Sequence, residues 1–356
     1  MNYIGSKLSL LEFLENSIKK VAKKDCNVFC DLFAGTGIVG SYFKKKGFKV
    51  IANDIQYYSY VLNRHYIKNH KPLEFKGLFE LIATLKSEDV NNRGAIVLDY
   101  LNNLKGKKGF IYNHYCLGGT KNKAEQRLYF SDENGLRCDA IRQKIEEWNN
   151  GKKINENEYY FLLASLVESI DKFANTASVY GAFLKNLKKS ALRPLVMSPA
   201  ELIINDREHE VYNEDINSVV KKIKGDILYL DPPYNQRQYA TNYHILETIA
   251  KYDNPEIHGK TGLREYQKQK SSYCSTNQVK KSFKDLIANA DVKYIFLSYN
   301  NEGLMSAEDI KEIMSTRGKY GFFTQEYSRF KADKNREYKA EKTVEYLHYV
   351  VCNNVL

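Results

Sequence analysis

The Asp-Pro-Pro-Tyr tetrad at positions 231–234 combines groups that can hold a planar ring bearing an exocyclic amine. The carboxylate of Asp231 can accept one amine hydrogen, and the main-chain carbonyl of Pro232, fixed in direction by ring-locked φ angles, can accept another. Tyr234 offers a face for stacking. The tetrad closes the apolar run 227–230, and ligands of open α/β sheets bind just outside the carboxyl ends of strands. Because Asp-Pro and Pro-Pro also punctuate loops, an ordinary turn stays equally open at this point.

A glycine-rich segment follows another apolar run near the start of the chain. Gly35, Gly37 and Gly40 satisfy the G-x-G-x-x-G spacing, in which glycines allow a tight turn and close approach of the backbone to a ligand. Asp54 follows the next apolar run, 49–53, and lies 19 residues after Gly35. In nucleoside-binding α/β folds an acidic residue at about this spacing from the first glycine binds a ribose hydroxyl. A helix cap is the other role open to Asp54. Together the two segments indicate an adenosine-containing ligand.

Five blocks, in their order along the chain, carry a resemblance to a known family. They are Asn2-Tyr3-Ile4-Gly5-Ser6-Lys7, Asp31 to Gly37, Asp54, Asn213-Glu214-Asp215 and Asp231 to Tyr234. The chain resembles the S-adenosylmethionine-dependent DNA adenine-N6 methyltransferases of the Dam-like, amino-methylating group. In that group the cofactor motif precedes the DPPY tetrad and a target-recognition insertion separates them. The matches cover roughly half the chain, and their combination is specific although each part alone is weak.

The resemblance implies a role for each block. Asp231, Pro232, Pro233 and Tyr234 would be catalytic, with Tyr234 stacking on an adenine extruded from the duplex. The S-adenosyl-L-methionine site would contain Tyr3, Gly5, Lys7, Asp31, Phe33, Ala34, Gly35, Thr36, Gly37, Asp54 and Asp215. For Asp215, which would meet the adenine of the cofactor, an N-cap role before the next helix stays open as well. No metal site is expected.

Several other functions share parts of this pattern. A NAD-dependent oxidoreductase has the same glycine spacing, but a pyrophosphate cradle has no evident need for Asp31, and no hydride-transfer arrangement of His or Lys is recognisable. A protein-amide methyltransferase typically has Asn at the position of Asp231. An RNA adenine-N6 methyltransferase, a DNA cytosine-N4 methyltransferase and a non-catalytic DNA-binding partner remain as alternatives, and the intact tetrad and glycine loop disfavour the last.

The composition agrees with a nucleic-acid partner without proving one. The formal net charge is +11 over 356 residues, and a basic surface interleaved with aromatic residues is typical of proteins that follow phosphates. Excess lysine also occurs on ordinary solvated surfaces. We therefore expect double-stranded DNA as the partner, with a cognate restriction endonuclease as a further candidate partner, and a monomer as the oligomeric state.

The cysteines and the apolar runs indicate the compartment. The six cysteines form no C-x-x-C pair and have no His at finger-like spacing, which argues against a disulfide framework or a zinc site. No signal peptide is recognisable, and no apolar run approaches the length of a membrane span. These features predict a reduced, cytoplasmic protein without membrane attachment.

Hydrophobic periodicity predicts an α/β fold, with a doubly wound, seven-stranded sheet and an inserted, mainly helical lobe, and the resemblance implies that this is a Rossmann-like methyltransferase sheet. The resemblance implies antiparallel final strands. The predicted strands are 28–33, 49–53, 209–213, 226–230, 293–299, 321–327 and 343–352. The predicted helices of the sheet domain are 7–20, 37–46, 57–69, 216–222, 242–252, 279–289 and 307–317.

The domain prediction assigns 1–72 and 200–356 to a catalytic, cofactor-binding domain and 73–199 to a helical insertion for target recognition. Apolar repeats predict helices at 75–85, 140–148, 159–173 and 179–187. The insertion carries basic residues near a Gly118-Gly119 loop that could contact DNA, namely Lys121, Lys123, Arg127, Arg137 and Arg142. The loop 235–239 and the segment 258–281 are further candidates for DNA contact, whereas His244 fits helix packing better than a role as a base.

Overall fold

The protein is described here by a computed structural model, at residues 3–328 and 342–353. The strands are β1 (Val28–Asp31), β2 (Lys49–Asn53), β3 (Glu210–Tyr212), β4 (Ile227–Leu230), β5 (Ile257–His258), β6 (Leu263–Arg264), β7 (Tyr294–Asn300), β8 (Gly318–Ser328) and β9 (Lys342–Cys352). The α-helices are α1 (Leu11–Val21), α2 (Ile38–Lys45), α3 (Tyr57–Asn63), α4 (Val90–Asn102), α5 (Phe110–Tyr115), α6 (Leu117–Thr120), α7 (Asp132–Asn150), α8 (Glu156–Phe173), α9 (Ile216–Val219), α10 (Tyr239–Asn242), α11 (His244–Lys251), α12 (Val279–Asn289) and α13 (Ala307–Ser315).

Seven strands form one sheet in the order β3-β2-β1-β4-β7-β9-β8. The pairs from β3 to β7 are parallel, and β9 runs antiparallel to both β7 and β8. The chain leaves β1 towards β2 on one side and later returns to β4 on the other, so β1 and β4 meet at the switch point of the sheet. The predicted α/β class and the antiparallel final strands are confirmed.

Strands β1, β2, β4 and β7 bury both of their faces, as their continuous apolar runs require. Cys30, Leu228 and Ile295 pack on one side with α9, α12 and α13, whereas Phe29, Tyr229 and Phe296 pack on the other side with α1 and α2. This alternation fixes the strand register, because a slip of one residue would move every side chain to the opposite face. The register pairs Asp31 with Tyr229, which brings the carboxyl ends of β1 and β4 side by side.

The chain separates into two compact units. The sheet unit comprises Ile4–Asn63, Asn205–Gln238 and Lys268–Leu356, and the helical unit comprises Met1–Tyr3, Arg64–Ile204 and Tyr239–Gln267. The helical unit is therefore larger than the predicted insertion, because 64–72, 200–204 and the α10–β6 segment join it. Within the described residues no helix is both long and apolar enough to cross a bilayer.

Two helices predicted in the insertion are wrong, for local reasons. The segment 75–85 forms only short 3₁₀ turns; a side chain on Gly77 would lie 2.3 Å from the carbonyl oxygen of Lys153, so the backbone is fixed by a close approach. The segment 179–187 has no regular helix, since Asn175 bonds both the N–H and the carbonyl of Leu184. Helices α4 and α5 were not predicted.

The predicted Gly118-Gly119 loop is also wrong, because both glycines lie in α6. The N–H of Gly118 donates to Oδ1 of Asp132 at 2.8 Å. A side chain on Gly119 would lie 2.0 Å from the carbonyl oxygen of Tyr112, so the glycines permit the close packing of α6 on α5.

Candidate active site

The tetrad begins immediately after β4, as the sequence predicts. Its first residue, Asp231, forms an ion pair with Lys7, which lies near the start of the sequence. Nζ of Lys7 lies 2.9 Å from Oδ1 of Asp231. The Lys7 side chain is only 4% exposed and that of Asp231 19%, so the ion pair is largely shielded from water. Shielding strengthens the pair and makes the loss of either partner costly.

Tyr234 shares this pair with a third charged residue. Its hydroxyl lies 2.9 Å from Oδ1 of Asp231 and 2.6 Å from Oε1 of Glu345 on β9, and it accepts a hydrogen bond from Lys7 at 3.0 Å. Its ring meets Tyr299 of β7 edge-on, with 5.0 Å between centroids. The tetrad is therefore held by a network of Lys7, Asp231, Tyr234 and Glu345, and the sequence analysis did not include Glu345.

The surroundings of Asp231 favour proton uptake. Burial raises the pKa of Asp231, the nearby charge of Lys7 opposes this rise, and the charge of Glu345 adds to it. Burial likewise holds the pKa of Tyr234 well above its usual range, so Tyr234 remains a neutral hydroxyl. The site thus contains two carboxylates, each in contact with the ammonium group of Lys7 and the hydroxyl of Tyr234.

The glycine loop after β1 is tied to the end of β2 through its backbone. The N–H of Ala34 donates to the carbonyl of Asn53 at 3.0 Å, and the N–H of Gly35 donates to Oδ2 of Asp54 at 2.9 Å. The N–H of Gly37 closes a tight turn onto the carbonyl of Ala34 at 2.7 Å. Gly35 and Gly37 have φ values of 51° and 79°, the left-handed conformation that glycine adopts without strain.

Asp31, at the end of β1, has one satisfied and one unsatisfied oxygen. Oδ2 accepts the N–H of Gly40 at 3.1 Å, whereas Oδ1 is buried without a hydrogen-bond partner among the described residues. Burial raises the pKa of Asp31 to about 8, and the charge of Asp231 contributes to this. A buried orphaned oxygen is rare enough to mark a ligand position.

Helix α3 supports the loop from behind with a polar side chain. Nδ2 of Asn63 donates to the carbonyl of Gly35 at 3.0 Å, while its Oδ1 is buried without a partner among the described residues. A side chain on Gly37 would lie 2.9 Å from that Oδ1. The loop and Asn63 therefore fit together only with glycine at position 37.

The two acids assigned to the adenosine part of the ligand both have local structural roles. Asp54 accepts the N–H of Gln56 at 2.8 Å in addition to that of Gly35, and its own carbonyl accepts a hydrogen bond from Asn213 at 2.7 Å. Asp215 is the N-cap of α9 and accepts the N–H of Asn217 at 3.0 Å. The N-cap role left open for Asp215 is thus confirmed, and each carboxylate keeps lone pairs that can accept further hydrogen bonds.

The remaining predicted residues fall into both units. Gly5, with a φ of 78°, offers its carbonyl to Lys7 at 3.3 Å in the sheet unit. Phe33 packs edge-on against Tyr273 at 4.9 Å, beside the buried Ala34 and the half-buried Thr36. Tyr3 belongs to the helical unit, where its ring stacks on Tyr243 at 4.9 Å.

Two of the three arginines predicted to contact DNA are buried. Arg127 is 6% exposed and donates to the carbonyls of Lys260, Gly259 and His114. Arg142 is 1% exposed and donates to two carbonyls in the last turn of α11. Arg137 donates to the carbonyls of Leu195 and Asn102. The prediction is wrong for Arg127 and Arg142, because their guanidinium groups are enclosed and already bonded. His244 is buried, and its ring lies edge-on to two tyrosines, as the packing interpretation requires.

The sheet topology, the glycine loop at the end of β1 and the DPPY tetrad at the end of β4 define the amino-methylating class of methyltransferases. A family model described as D12 class N6 adenine-specific DNA methyltransferase matches residues 3–316. The chain belongs to this family, and it is therefore a DNA adenine-N6 methyltransferase.

Proteins of known name align over most of the chain. The type II methyltransferase M.NlaIII of Neisseria lactamica is 54% identical, over 98% of each chain. The type II methyltransferase M.CviAII of Paramecium bursaria Chlorella virus 1 is 36% identical over 93% of each. M.FokI of Planomicrobium okeanokoites is 39% identical over 98% of this chain, which spans 52% of that longer protein.

Proposed function

We propose that the chain transfers a methyl group from S-adenosyl-L-methionine to the N6 amine of a flipped adenine in a specific sequence of double-stranded DNA, as the modification enzyme of a type II restriction-modification system. The observation that carries the proposal is the DPPY turn, held by Lys7 and Glu345 beside the glycine loop. The relatives named as type II methyltransferases support the restriction-modification setting.

In the proposed reaction Asp231 and the carbonyl of Pro232 each accept one hydrogen of the adenine amine. The amine is a poor nucleophile because its lone pair is delocalised into the purine, and these two hydrogen bonds favour the localised lone pair that attacks. Holding the amine in line with the methyl donor contributes much of the acceleration, since good positioning is worth ~7 to 11 kcal/mol. The negative charge of Asp231 also stabilises the positive charge that develops on N6.

The residues around the glycine loop fit the cofactor. The orphaned Oδ1 of Asp31 and the crowded Gly37 describe a close-fitting polar cradle, and Asp54 and Asp215 carry acceptors suited to hydroxyl and amino groups. We assign this cradle to Asp31, Phe33, Ala34, Gly35, Thr36, Gly37, Asp54 and Asp215, with Tyr3, Gly5 and Lys7 at the methionine end. S-adenosyl-L-methionine bound there supplies the methyl group from a sulfonium.

A transfer assay tests the proposed function. Purified chain incubated with tritiated S-adenosyl-L-methionine should label duplex DNA that carries its site and leave ribosomal RNA unlabelled. Digestion of the product to nucleosides should place the label in N6-methyladenine. Label in N4-methylcytosine, or in RNA alone, would overturn the assignment of the acceptor.

The physiological setting has separate tests. Base-resolved methylation mapping of host DNA gives the recognised sequence, and DNA methylated in vitro should then resist the cognate endonuclease. We propose a cytoplasmic monomer; sedimentation of the purified chain checks its oligomeric state, and cell fractionation checks its location.

We further propose that the helical unit recognises the target, through the turn between β5 and β6 rather than through its buried arginines. Three buried side chains hold this turn by four of its carbonyls: Arg127 donates to those of Gly259 and Lys260, Tyr115 donates to that of Gly262, and His244 contacts that of Thr261. Gly262 has a φ of 67°, and a side chain there would lie 2.8 Å from Tyr115. So many contacts to one surface turn preorganise it, and its exposed Lys260 suits a phosphate.

Lys260→Ala should weaken binding to duplex DNA similarly for all sequences and reduce the slope of log affinity against log salt by about one. Fluorescence anisotropy at several salt concentrations measures both quantities. Lys86→Ala, at another exposed lysine of the same unit, should change neither. An unchanged salt slope in Lys260→Ala would remove the turn from the DNA contact surface.

A further inference from the structure

Glu345 is a buried carboxylate on β9, beside the carboxyl end of β7. It is fully shielded from water, and it lies opposite Asn300 of β7 and Gln325 of β8. Its Oε1 is 2.6 Å from the hydroxyl of Tyr234 and 3.4 Å from Nζ of Lys7. Burying a carboxylate costs free energy that a hydrophobic side chain at the same position would not. Its contacts with the tetrad therefore call for a functional explanation.

Asp231 and Glu345 compete for the hydrogen-bond donors of Tyr234 and Lys7. The single hydroxyl hydrogen of Tyr234 serves either Glu345, at 2.6 Å, or Asp231, at 2.9 Å, but not both at once. When the hydroxyl hydrogen points to Glu345, Oδ1 of Asp231 still has the ammonium group of Lys7 at 2.9 Å. Both contacts of Asp231 within the described residues then fall on Oδ1, so Oδ2 is left to accept from an amine.

We propose that Glu345 is a positioning residue of the methyl-transfer site, which orients the hydroxyl of Tyr234 and acts on Asp231 through its charge. The inference rests on the proposed function of the tetrad. Glu345 touches no substrate in this scheme, because the Tyr234 hydroxyl stands between it and Asp231.

The charge of Glu345 matters for the proton that the product must lose. Once the N6 lone pair has bonded to the methyl carbon, and the carbon–sulfur bond has broken with its electron pair left on sulfur, N6 carries a positive charge and two hydrogens. One N–H bond then breaks with its electron pair staying on nitrogen, and the proton goes to Oδ2 of Asp231. A second negative charge nearby makes Asp231 a better acceptor of that proton.

Charged and titratable groups face Asp231 from several elements. Lys7, which precedes α1, lowers the pKa of Asp231, and Glu345 on β9 raises it. Tyr234 lies in the same turn and Tyr229 on β4, where its hydroxyl donates to Ser298 of β7 at 2.9 Å. Asp31 on β1 is the other carboxyl coupled to Asp231 by charge. Removing the charge of Glu345 leaves Lys7 less opposed, so the pKa of Asp231 falls.

Glu345→Gln should lower kcat on the order of tenfold, as expected for a weakened proton acceptor, and should move the acidic limb of the kcat–pH profile to lower pH. The KM values for S-adenosyl-L-methionine and DNA should stay close to those of the wild type. Glu345→Asp keeps the charge and should leave the acidic limb where the wild type has it. Quenched-flow transfer assays across the pH range measure these quantities.

The controls separate this inference from folding and from the proposed function. Glu247→Gln neutralises another buried glutamate, paired with Lys251 at 2.8 Å in the helical unit, and should leave the pH profile unchanged. The inference would be overturned if the acidic limb of the kcat–pH profile stayed in place in a folded Glu345→Gln variant. It would also be overturned if that limb vanished in Asp31→Asn, because the limb would then belong to Asp31 and not to Asp231. Failure of the wild type to methylate adenine in the same assay would instead overturn the proposed function.

Discussion

Asp231→Asn should lower kcat for methyl transfer by roughly 10²- to 10³-fold while S-adenosyl-L-methionine binds nearly as it does to the wild type. The change preserves size but removes the negative charge that stabilises N6, and loss of one such electrostatic group typically costs this much. It also removes the negative charge that lies 2.9 Å from Nζ of Lys7. Single-turnover tritium transfer measures the rate, and calorimetry measures cofactor affinity. Asp231→Ala should show the same separation of binding from chemistry.

A matched control for this variant lies at the other end of the same strand. Asp226 precedes β4, pairs with Lys293 at 2.7 Å and accepts the N–H groups of Asn27 and Val28. Asp226→Asn therefore removes an aspartate that pairs with lysine but takes no part in the tetrad. It should lower thermal stability and leave single-turnover transfer within about twofold of the wild type. An Asp231→Asn variant that kept more than a tenth of the wild-type rate would remove Asp231 from the chemistry.

The sequence predicted the elements whose signal is local. Strand 49–53 and helix 279–289 have the predicted bounds, because the first is a short apolar run and the second has apolar residues at helical spacing. The meeting of β1 and β4 was also predictable, since the switch point follows from the order of the strands. Both motifs that define the site therefore lie where their spacing placed them.

The network around the tetrad was beyond prediction because its members are remote in sequence. Lys7 and Tyr234 are 227 positions apart, and Tyr234 and Glu345 are 111 apart. The signal for Glu345 in the sequence is a single acidic residue within the otherwise non-acidic predicted strand 343–352. A charged residue at a fully buried position of a strand needs a partner, and this requirement identifies Glu345 once the topology is known.

The arginines of the helical unit show a different limit of sequence analysis. An arginine near glycines gives the same sequence pattern whether it contacts a phosphate or main-chain carbonyls. Only the burial of its side chain in the structure distinguishes these two roles. Arg127 and Arg142 are enclosed, whereas Lys260 on the turn that Arg127 holds is exposed. Lys260 lies in the segment 258–281, which the sequence also offered as a candidate for DNA contact, and it is the residue that we propose for that contact.

Gly37→Ala should weaken S-adenosyl-L-methionine binding at least on the order of tenfold, because the loop that forms the cradle must move. The left-handed strain of a non-glycine residue, roughly 1–2 kcal/mol, lowers the stability of the fold, whereas a displaced loop that costs cofactor binding about 1.4 kcal/mol lowers the affinity tenfold. The added methyl group would also lie 2.9 Å from Oδ1 of Asn63, the residue that holds the carbonyl of Gly35. Calorimetric titration with the cofactor measures the effect.

Gly47 supplies the control, since its φ is 88° and nothing lies within 4 Å of the position a side chain would take. Gly47→Ala carries the same backbone strain as Gly37→Ala without the contact on Asn63. Both variants should lower the melting temperature by similar amounts, but Gly47→Ala should keep wild-type affinity for the cofactor within about twofold. Equal losses of affinity in the two variants would mean that general destabilisation, and not the fit between Gly37 and Asn63, limits cofactor binding. Gly37 follows β1 and Asp231 follows β4, so the two substitutions act on different parts of the site. Gly37→Ala should mainly weaken cofactor binding, whereas Asp231→Asn should mainly slow methyl transfer.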